Sequence, residues 1–309
     1  MIDILGLRVL VTVADVGSVT GAARELGYSP SNVTQHLRRL ERVMGAPMVE
    51  RAGRRIILTD RAQVLVDRGR HLLLELDDLA DGTAALPFGA VEVGAFPTGL
   101  RGLLVPAVAA LSRDVPALQV RPRELEPAEA LERLRAGRLH AAIVKDWGTP
   151  RSQEDDVVGE QVLGIDPIDA ILHVEHPLAR RPSLMLQDLA EQAWALTPRE
   201  DPSYRDWFAS HQKVSDLRPR AIYEASEFAS LVSFVEHGIA ITVLPRLGRG
   251  PLPTTVVPVP LRDPDAVRTI SIAARRTSWS SPNLLALTAA LREQSDMALD
   301  TVQAGCVVP

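Results

Sequence analysis

The chain has 309 residues, 46% of them apolar and 24% charged, and a formal net charge of −5. That length allows roughly two domains at ~100–200 residues each, and the composition excludes a disordered or collagen-like chain. No apolar run approaches the ~20 residues of a membrane span, the start MIDILGLRVLV lacks the pattern of a secretory signal, and a single cysteine, Cys306, leaves no disulfide framework, thiolate metal site or internal redox pair; the cytoplasm is the default location.

The charge is unevenly spread. Residues 1–60 hold eight Arg against six acids, whereas the other 249 residues are acidic by seven charges. Within 34–55 there are six Arg and two Glu. A small basic end on an acidic body points to a polyanionic partner. With 32 Arg and only Lys145 and Lys213, abundance of Arg says little, and clustering carries the argument.

In chain order, Ile4, Leu7, Leu10, Val11 and Ala14 recur at helical spacing, and Gly17 ends that helix. Ser18 or Thr20 can cap a second helix, with Ala22, Ala23 and Leu26 on its core side. After the Gly27-Tyr28 turn, Ser29-Pro30 is a capping hydroxyl followed by proline in the first helical turn. Val33, Leu37, Leu40 and Met44 follow on one face, and Gly45 closes that helix. Residues 48–51 and 55–59 read as a hairpin around Ala52-Gly53-Arg54.

Residues 60–86 read as one long helix capped by Asp60. Ala62, Leu65, Gly69, Leu72, Leu76 and Leu79 step by 3, 4, 3, 4, 3, a heptad seam that needs a partner helix. Leu65, Leu72, Leu76 and Leu79 are therefore the expected dimer contacts. From residue 87 strands and helices alternate. Strands are expected at 91–95, 118–121, 140–144, 160–164, 168–174, 194–197, 219–224, 239–244, 254–259 and 268–275. Helices are expected at 98–113 (broken at Pro106), 127–136, 186–192, 202–211, 226–236 and 282–296, with a loose tail from 298. Alternation of this kind argues a mostly parallel α/β unit in two lobes.

Helices 20–26 and 29–44 have helix-turn-helix spacing. In that motif the second helix lies in the major groove with its N-terminal residues on base edges. Its outward residues are Pro30, Ser31, Asn32, Thr34, Gln35, Arg38 and Arg39; Asn, Gln, Ser and Thr read bases, and Arg reads guanine or clamps phosphate. Arg51 and Arg54 in the hairpin are expected phosphate contacts.

The stretch GSVTGAARELGYSPSNVTQHLRRLERVMGAPMVERAGRRIILT resembles the winged helix-turn-helix of LysR-type transcriptional regulators. Weaker ordered matches are Leu134–Leu139, His176-Pro177-Leu178-Ala179, and Val235–Ala240 ending at Leu244-Pro245. The resemblance implies a winged DNA-binding domain (1–59), a dimerisation helix (60–86), and a two-lobed effector domain of periplasmic-binding-protein type over 87–297. Lobe I would be 87–162 and 267–297, lobe II 163–266, and 298–309 a tail. It implies no enzymatic activity and no cofactor. The implied partners are an operator DNA with an interrupted inverted repeat, a second and a fourth copy of the chain, RNA polymerase, and a small anionic effector. Family members usually have Gln at position 30, Arg at 35, Phe at 49 and an acid at 140, where this chain has Pro30, Gln35, Val49 and His140; base preference therefore does not transfer.

Ligands of open α/β sheets sit beyond the carboxyl ends of strands. Three such ends are expected at the hinge: Phe96-Pro97-Thr98-Gly99, Lys145-Asp146-Trp147, and Thr197-Pro198-Arg199, with Ser226 capping helix 226–236. Hydroxyls, two cations and two aromatic walls suit a small organic acid, aromatic or amino-acid-like. The alternative is the same regulator answering to a protein partner or to nothing, which an apolar cleft without converging polar groups would favour. His173 and His176 lack a third ligand nearby, and no phosphate loop or GxSxG elbow is present.

Overall fold

A computed structural model of the chain describes residues 3–52, 55–83, 86–147, 155–197 and 217–299. Three short helices open it: α1 (Ile4–Val16), α2 (Val19–Leu26) and α3 (Pro30–Met44). Each starts with a side chain accepting from the first turn: Asp3 from the Gly6 N–H, Ser18 from Gly21 and Ser29 from Asn32. Such caps stabilise a helix by ~1 kcal/mol. Gly27 takes the left-handed conformation (φ 69°) that turns the chain from α2 into α3. Leu10, Val13, Ala22, Ala23, Val33 and Leu37 fill the core beneath. Strands β1 (Val49–Ala52) and β2 (Arg55–Leu58) pair antiparallel, with Val49 opposite Leu58. Met48, expected to begin the first strand, is buried in the helical core instead.

Helix α4 spans Asp60–Thr83. Its cap is Thr59, not Asp60: the Thr59 hydroxyl accepts from the Ala62 N–H at 3.2 Å and donates to the Pro47 carbonyl at 3.0 Å. Asp60 already has helical backbone and sits in the first turn. The expected seam splits. Ala62 and Val66 are buried in the N-terminal core, Leu65 packs against it, and Gly69 lies under Leu7 of α1. Leu72 and Leu76 are 53% and 39% exposed. The side chain of Leu79 lies outside the described set. Arg70 is buried and ties α4 to α1 through Asp15, with Asp67 3.5 Å away on α4 itself.

The rest is an α/β unit on two crossing strands. Parallel β3 (Gly89–Ala95), β4 (Leu118–Glu124) and β5 (Ala141–Asp146) continue through antiparallel β11 (Val267–Arg275) to β6 (Val158–His173). One side carries α5 (Pro97–Gly99), a π turn (Leu100–Leu104), α6 (Val105–Asp114) and α9 (Pro282–Ala298); the other carries α7 (Pro127–Arg135). Pro106 does not break this helical run. The π turn just before it is closed by Val105 N–H to Leu100 O, and Pro106 falls in the first turn of α6, where a missing N–H is tolerated.

Residues 158–173 form one strand, not the two expected. Pro167 is not a break, because its missing N–H falls where β6 changes partners. Up to Pro167 it pairs with β11; beyond it, with β9 (Thr242–Pro245) and β10 (Val256–Pro260). That second half founds lobe II, completed by parallel β7 (Ala193–Leu196) and β8 (Ala221–Glu224), a Trp194–Ile241 bridge and α8 (Phe228–Glu236). The helix expected at 186–192 is only a 3₁₀ turn over Leu186–Leu189, and 202–211 lies outside the described residues. Leu299 is buried against lobe I, so the chain stays packed one residue past α9.

Candidate functional sites: a recognition helix and an interlobe cleft

Apart from Pro30 and Val43, the exposed residues of α3 are polar. Pro30, Ser31, Thr34, Gln35, Arg38 and Arg42 line one shallow groove; Arg42 was not among the expected residues. Pro30 occupies the first turn and exposes its ring. The Ser31 hydroxyl lies 2.8 Å from that of Ser29, and Thr34 donates its hydroxyl proton to the Pro30 carbonyl at 2.9 Å. Both retain acceptor capacity. Gln35 and Arg38 are exposed, and Asn32 and Arg39 flank the groove. Arg39 rests 3.4 Å from Asp3, an exposed pair worth little. Arg51 sits on β1, opposite Ile56. Arg54 lies outside the described residues.

The second site is a cleft of about 940 Å³ whose wall comes from both lobes. Phe96, Pro97 and Thr98 enter from the end of β3, Lys145 and Trp147 from the end of β5, Thr197 from the end of β7, and Ser226 from the loop before α8. The ends of β3, β5 and β7 thus meet at one cleft. Gly99 does not line the cleft: a Cβ there would meet the Phe96 ring at 2.9 Å and Ile143 at 3.3 Å, so it is a packing position. Ser226 lines the cleft but caps nothing, because α8 begins after Glu227 without a side-chain cap. Pro198 and Arg199 lie outside the described residues.

Lys145 is buried and ion-paired with Glu126 at 3.2 Å. Its ammonium stands 5.2 Å from the Phe96 ring centre. The residue that organises the floor is Arg268, which the sequence reading placed only inside a strand. Its guanidinium pairs with fully buried Asp166 (2.7 Å), donates to the Thr98 hydroxyl (2.7 Å), and lies 5.1 and 5.5 Å from the rings of Phe96 and Trp147. Asp166 in turn accepts from the Leu247 N–H at 2.9 Å. The available signal was a charge within each of two largely apolar strands, at Asp166 and Arg268. Arg101 donates to the Gly248 carbonyl (3.1 Å), and Arg249 pairs with Asp169 (2.8 Å), which Arg246 shares.

His173 and His176 hold local turns. The Nδ1 of His173 accepts from the Glu175 N–H, and that of His176 from Leu178, both at 3.2 Å. Among the described residues no cluster could hold a metal ion, and no helix is long and apolar enough to cross a membrane.

A helix-turn-helix with a polar outward recognition face, joined by a long helix to a two-lobed α/β unit around a cleft, defines a DNA-binding regulator with a small-molecule-binding domain. Residues 5–63 match the family model described as bacterial regulatory helix-turn-helix protein, lysR family, and residues 84–296 match the LysR substrate binding domain. The chain belongs to the LysR family of transcriptional regulators, which are not enzymes. It is 26% identical to an HTH-type transcriptional regulator, YnfL, of Escherichia coli, over 86% of this chain and 90% of the relative. It is 27% identical to the small neutral protease regulatory protein of Streptomyces coelicolor (89% and 83%). Among solved structures, full-length OxyR from Pseudomonas aeruginosa superposes with a TM-score of 0.74 at 22% identity, over 96% of each chain, and full-length BenM with 0.59 at 23%, over 97% and 99%.

Proposed function

We propose that this regulator reads an interrupted inverted repeat as a two-fold dimer, assembling further to a tetramer, and that a small organic molecule in the interlobe cleft changes how it binds its operator or engages RNA polymerase. The single supporting observation is the convergence of Thr98, Lys145, Thr197, Ser226 and Arg268, from five separate segments and both lobes, on one cleft. That arrangement weighs against the alternative of a C-terminal domain governed only by a protein partner. A molecule bridging two lobes favours one interlobe geometry, and it can shift DNA binding only by its differential affinity for the two states.

On the DNA side, Ser31, Asn32, Thr34 and Gln35 read base edges, Pro30 starts the helix and offers van der Waals contact, and Arg38, Arg39, Arg51 and Arg54 hold phosphates. The dimer seam is formed by the outward residues Leu72 and Leu76 with Leu79, Leu65 serving its own domain.

Footprinting on operators taken from a genome-wide binding map is the test. Two protected half-sites related by a dyad, with a footprint that changes when metabolites of the regulated genes are added, support the reading. Protection of one half-site, or a footprint indifferent to those metabolites, would sink it.

A further inference from the structure

We infer that the molecule taken by the cleft is a basic amino acid, carrying a carboxylate at one end of an aliphatic stem and a cation at the other. This rests on the reading of the cleft as the effector site. Among the described residues four carboxylates line it, those of Glu124, Glu126, Glu227 and Glu236, and four cations, those of Arg101, Lys145, Arg249 and Arg268. The cations are engaged by the protein itself: Lys145 by Glu126, Arg268 by Asp166, Arg249 by Asp169 and Arg101 by the Gly248 carbonyl. Among the described residues, counting the two backing aspartates and Arg246, which shares Asp169, one negative charge is in excess. Among the described residues, an anion entering this cleft meets Lys145, Arg249 and Arg268 already paired with carboxylates, and Glu124, Glu227 and Glu236 without an ion-pair partner. The expectation of a purely anionic effector therefore loses its support.

Position orders the two ends. Thr197 is only 6% exposed, lines the cleft, and its hydroxyl has no hydrogen-bond partner. A buried hydroxyl without a partner costs free energy that a ligand acceptor restores. The Ala225 N–H donates to the Leu196 carbonyl at 3.1 Å, which brings the N-terminal end of α8 beside Thr197. A carboxylate there meets a free donor and the positive end of a nine-residue helix. The cleft face of α8 then runs through Ala229, Val232 and Ser233 to Glu236, about 13 Å along the axis from Glu227 at 1.5 Å per residue. Glu236 ends the helix, where the dipole is negative, with no basic residue in the last turn. Among the described residues it has no ion-pair or hydrogen-bond partner, so that end favours a cation. Between the ends, Phe228, Val232 and Leu252 form an apolar wall for the stem.

The experiment uses the full-length protein and four probes: L-lysine, L-arginine, norleucine (no terminal cation) and cadaverine (no carboxylate). Calorimetry and thermal stabilisation are read for the wild type, Glu236→Gln and Thr197→Val. Lysine or arginine is expected to bind on the order of tenfold tighter than norleucine and cadaverine, since each charged end supplies a charge-assisted hydrogen bond. Glu236→Gln should remove the advantage over norleucine, and Thr197→Val the advantage over cadaverine. Norleucine binding as tightly as lysine and arginine, an advantage that survives Glu236→Gln, or no binding by any of the four overturns the assignment. The reading of the cleft itself fails separately, if an effector found by the footprinting screen binds a Thr98→Val, Thr197→Val double variant as well as the wild type.

Discussion

Gln35 carries the most specific expectation at the scale of single residues. It is exposed in the middle of the α3 groove and has no duty in the fold, so its amide is free to read a base edge. Gln35→Ala should cost ~1–3 kcal/mol at one base pair and little at others; selection from a randomised operator library checks this, and an unchanged preference would remove Gln35 from the readers. Asp155 is a structural counterpart. It accepts from the N–H groups of Val158 (3.0 Å) and Val157 (2.9 Å) and from Arg135 (2.7 Å), and these bonds, the one from Val158 first, hold its carboxyl below the ordinary value of 3.8 against the opposing effect of burial. A depressed folded-state pKa gives stability that is present above the unfolded value and lost as pH falls through the folded one. Asp155→Asn should therefore lower stability by ~1–2 kcal/mol at neutral pH and flatten its decline in acid, as urea titrations at pH 7 and pH 3.5 would show. An acid limb identical in both proteins would contradict the assignment. Single residues were unequally legible. Ser18, Ser29, Gly17, Gly27 and Gly45 announce themselves because caps and left-handed turns are set by local chemistry. Arg268 and Asp166 do not, because their pairing joins positions 102 apart in sequence and depends on the crossing of two strands.

At the scale of elements, α4 carries one periodic stripe that is buried at Ala62 and Val66 and exposed at Leu72 and Leu76. Its first half is spoken for: Ala62 and Val66 are buried under α1, and a Cβ at Gly69 would meet Leu7 at 2.5 Å. Leu73 still packs in that core, whereas Leu72 beside it and Leu76 beyond it face outward. A 3.5-residue repeat records that a face is apolar, not what covers it, so Leu65 could not be told from Leu72 in the sequence. If the proposed dimer seam runs through Leu72, Leu72→Glu places a charge against its own copy across the two-fold axis. Loss of dimers, with the C-terminal unit still folded, is expected by sedimentation velocity and circular dichroism; a dimer surviving at low concentration would put the seam elsewhere. Strand β6 was misjudged for a related reason. Pro167 reads as an interruption when the partner of each residue is unknown, and becomes admissible once the strand is seen to change neighbours there. Helices with whole apolar faces, α3 and α9 among them, were legible nearly to their ends. The 3₁₀ turn at Leu186–Leu189 was not, since two leucines three apart fit either helix.

At the scale of the whole molecule, the two lobes meet through more than their crossing strands. The loop after β9 leaves lobe II and plants Leu247 in the apolar core of lobe I, where a Cβ on Gly102 would meet it at 2.4 Å. The next residue, Gly248, has φ +63° and lies so close to the turn after β3 that a Cβ on it would stand 2.4 Å from the Thr98 carbonyl oxygen. Its own carbonyl accepts from Arg101 of the π turn, and the Thr98 hydroxyl accepts from Arg268. Backbone, and not a flexible side chain, is what an added methyl would strike, and the left-handed conformation costs any other L-residue ~1–2 kcal/mol by itself. Gly248→Ala should therefore push the loop off the helical run 97–104 and lower the unfolding temperature of the C-terminal unit by ~4–8 °C, the equivalent of about 2 kcal/mol for a unit of this size. Amide exchange at Leu100 and Val105, whose N–H groups bond to Phe96 and Leu100, should quicken as that run loosens. Because Thr98 belongs both to this junction and to the cleft wall, strain at Gly248 reaches the cleft within one residue contact. An alanine variant that melts with the wild type and exchanges these two amides at the same rate would show that the lobes are held by β6 and β11 alone, and that the loop after β9 has no part in setting the cleft.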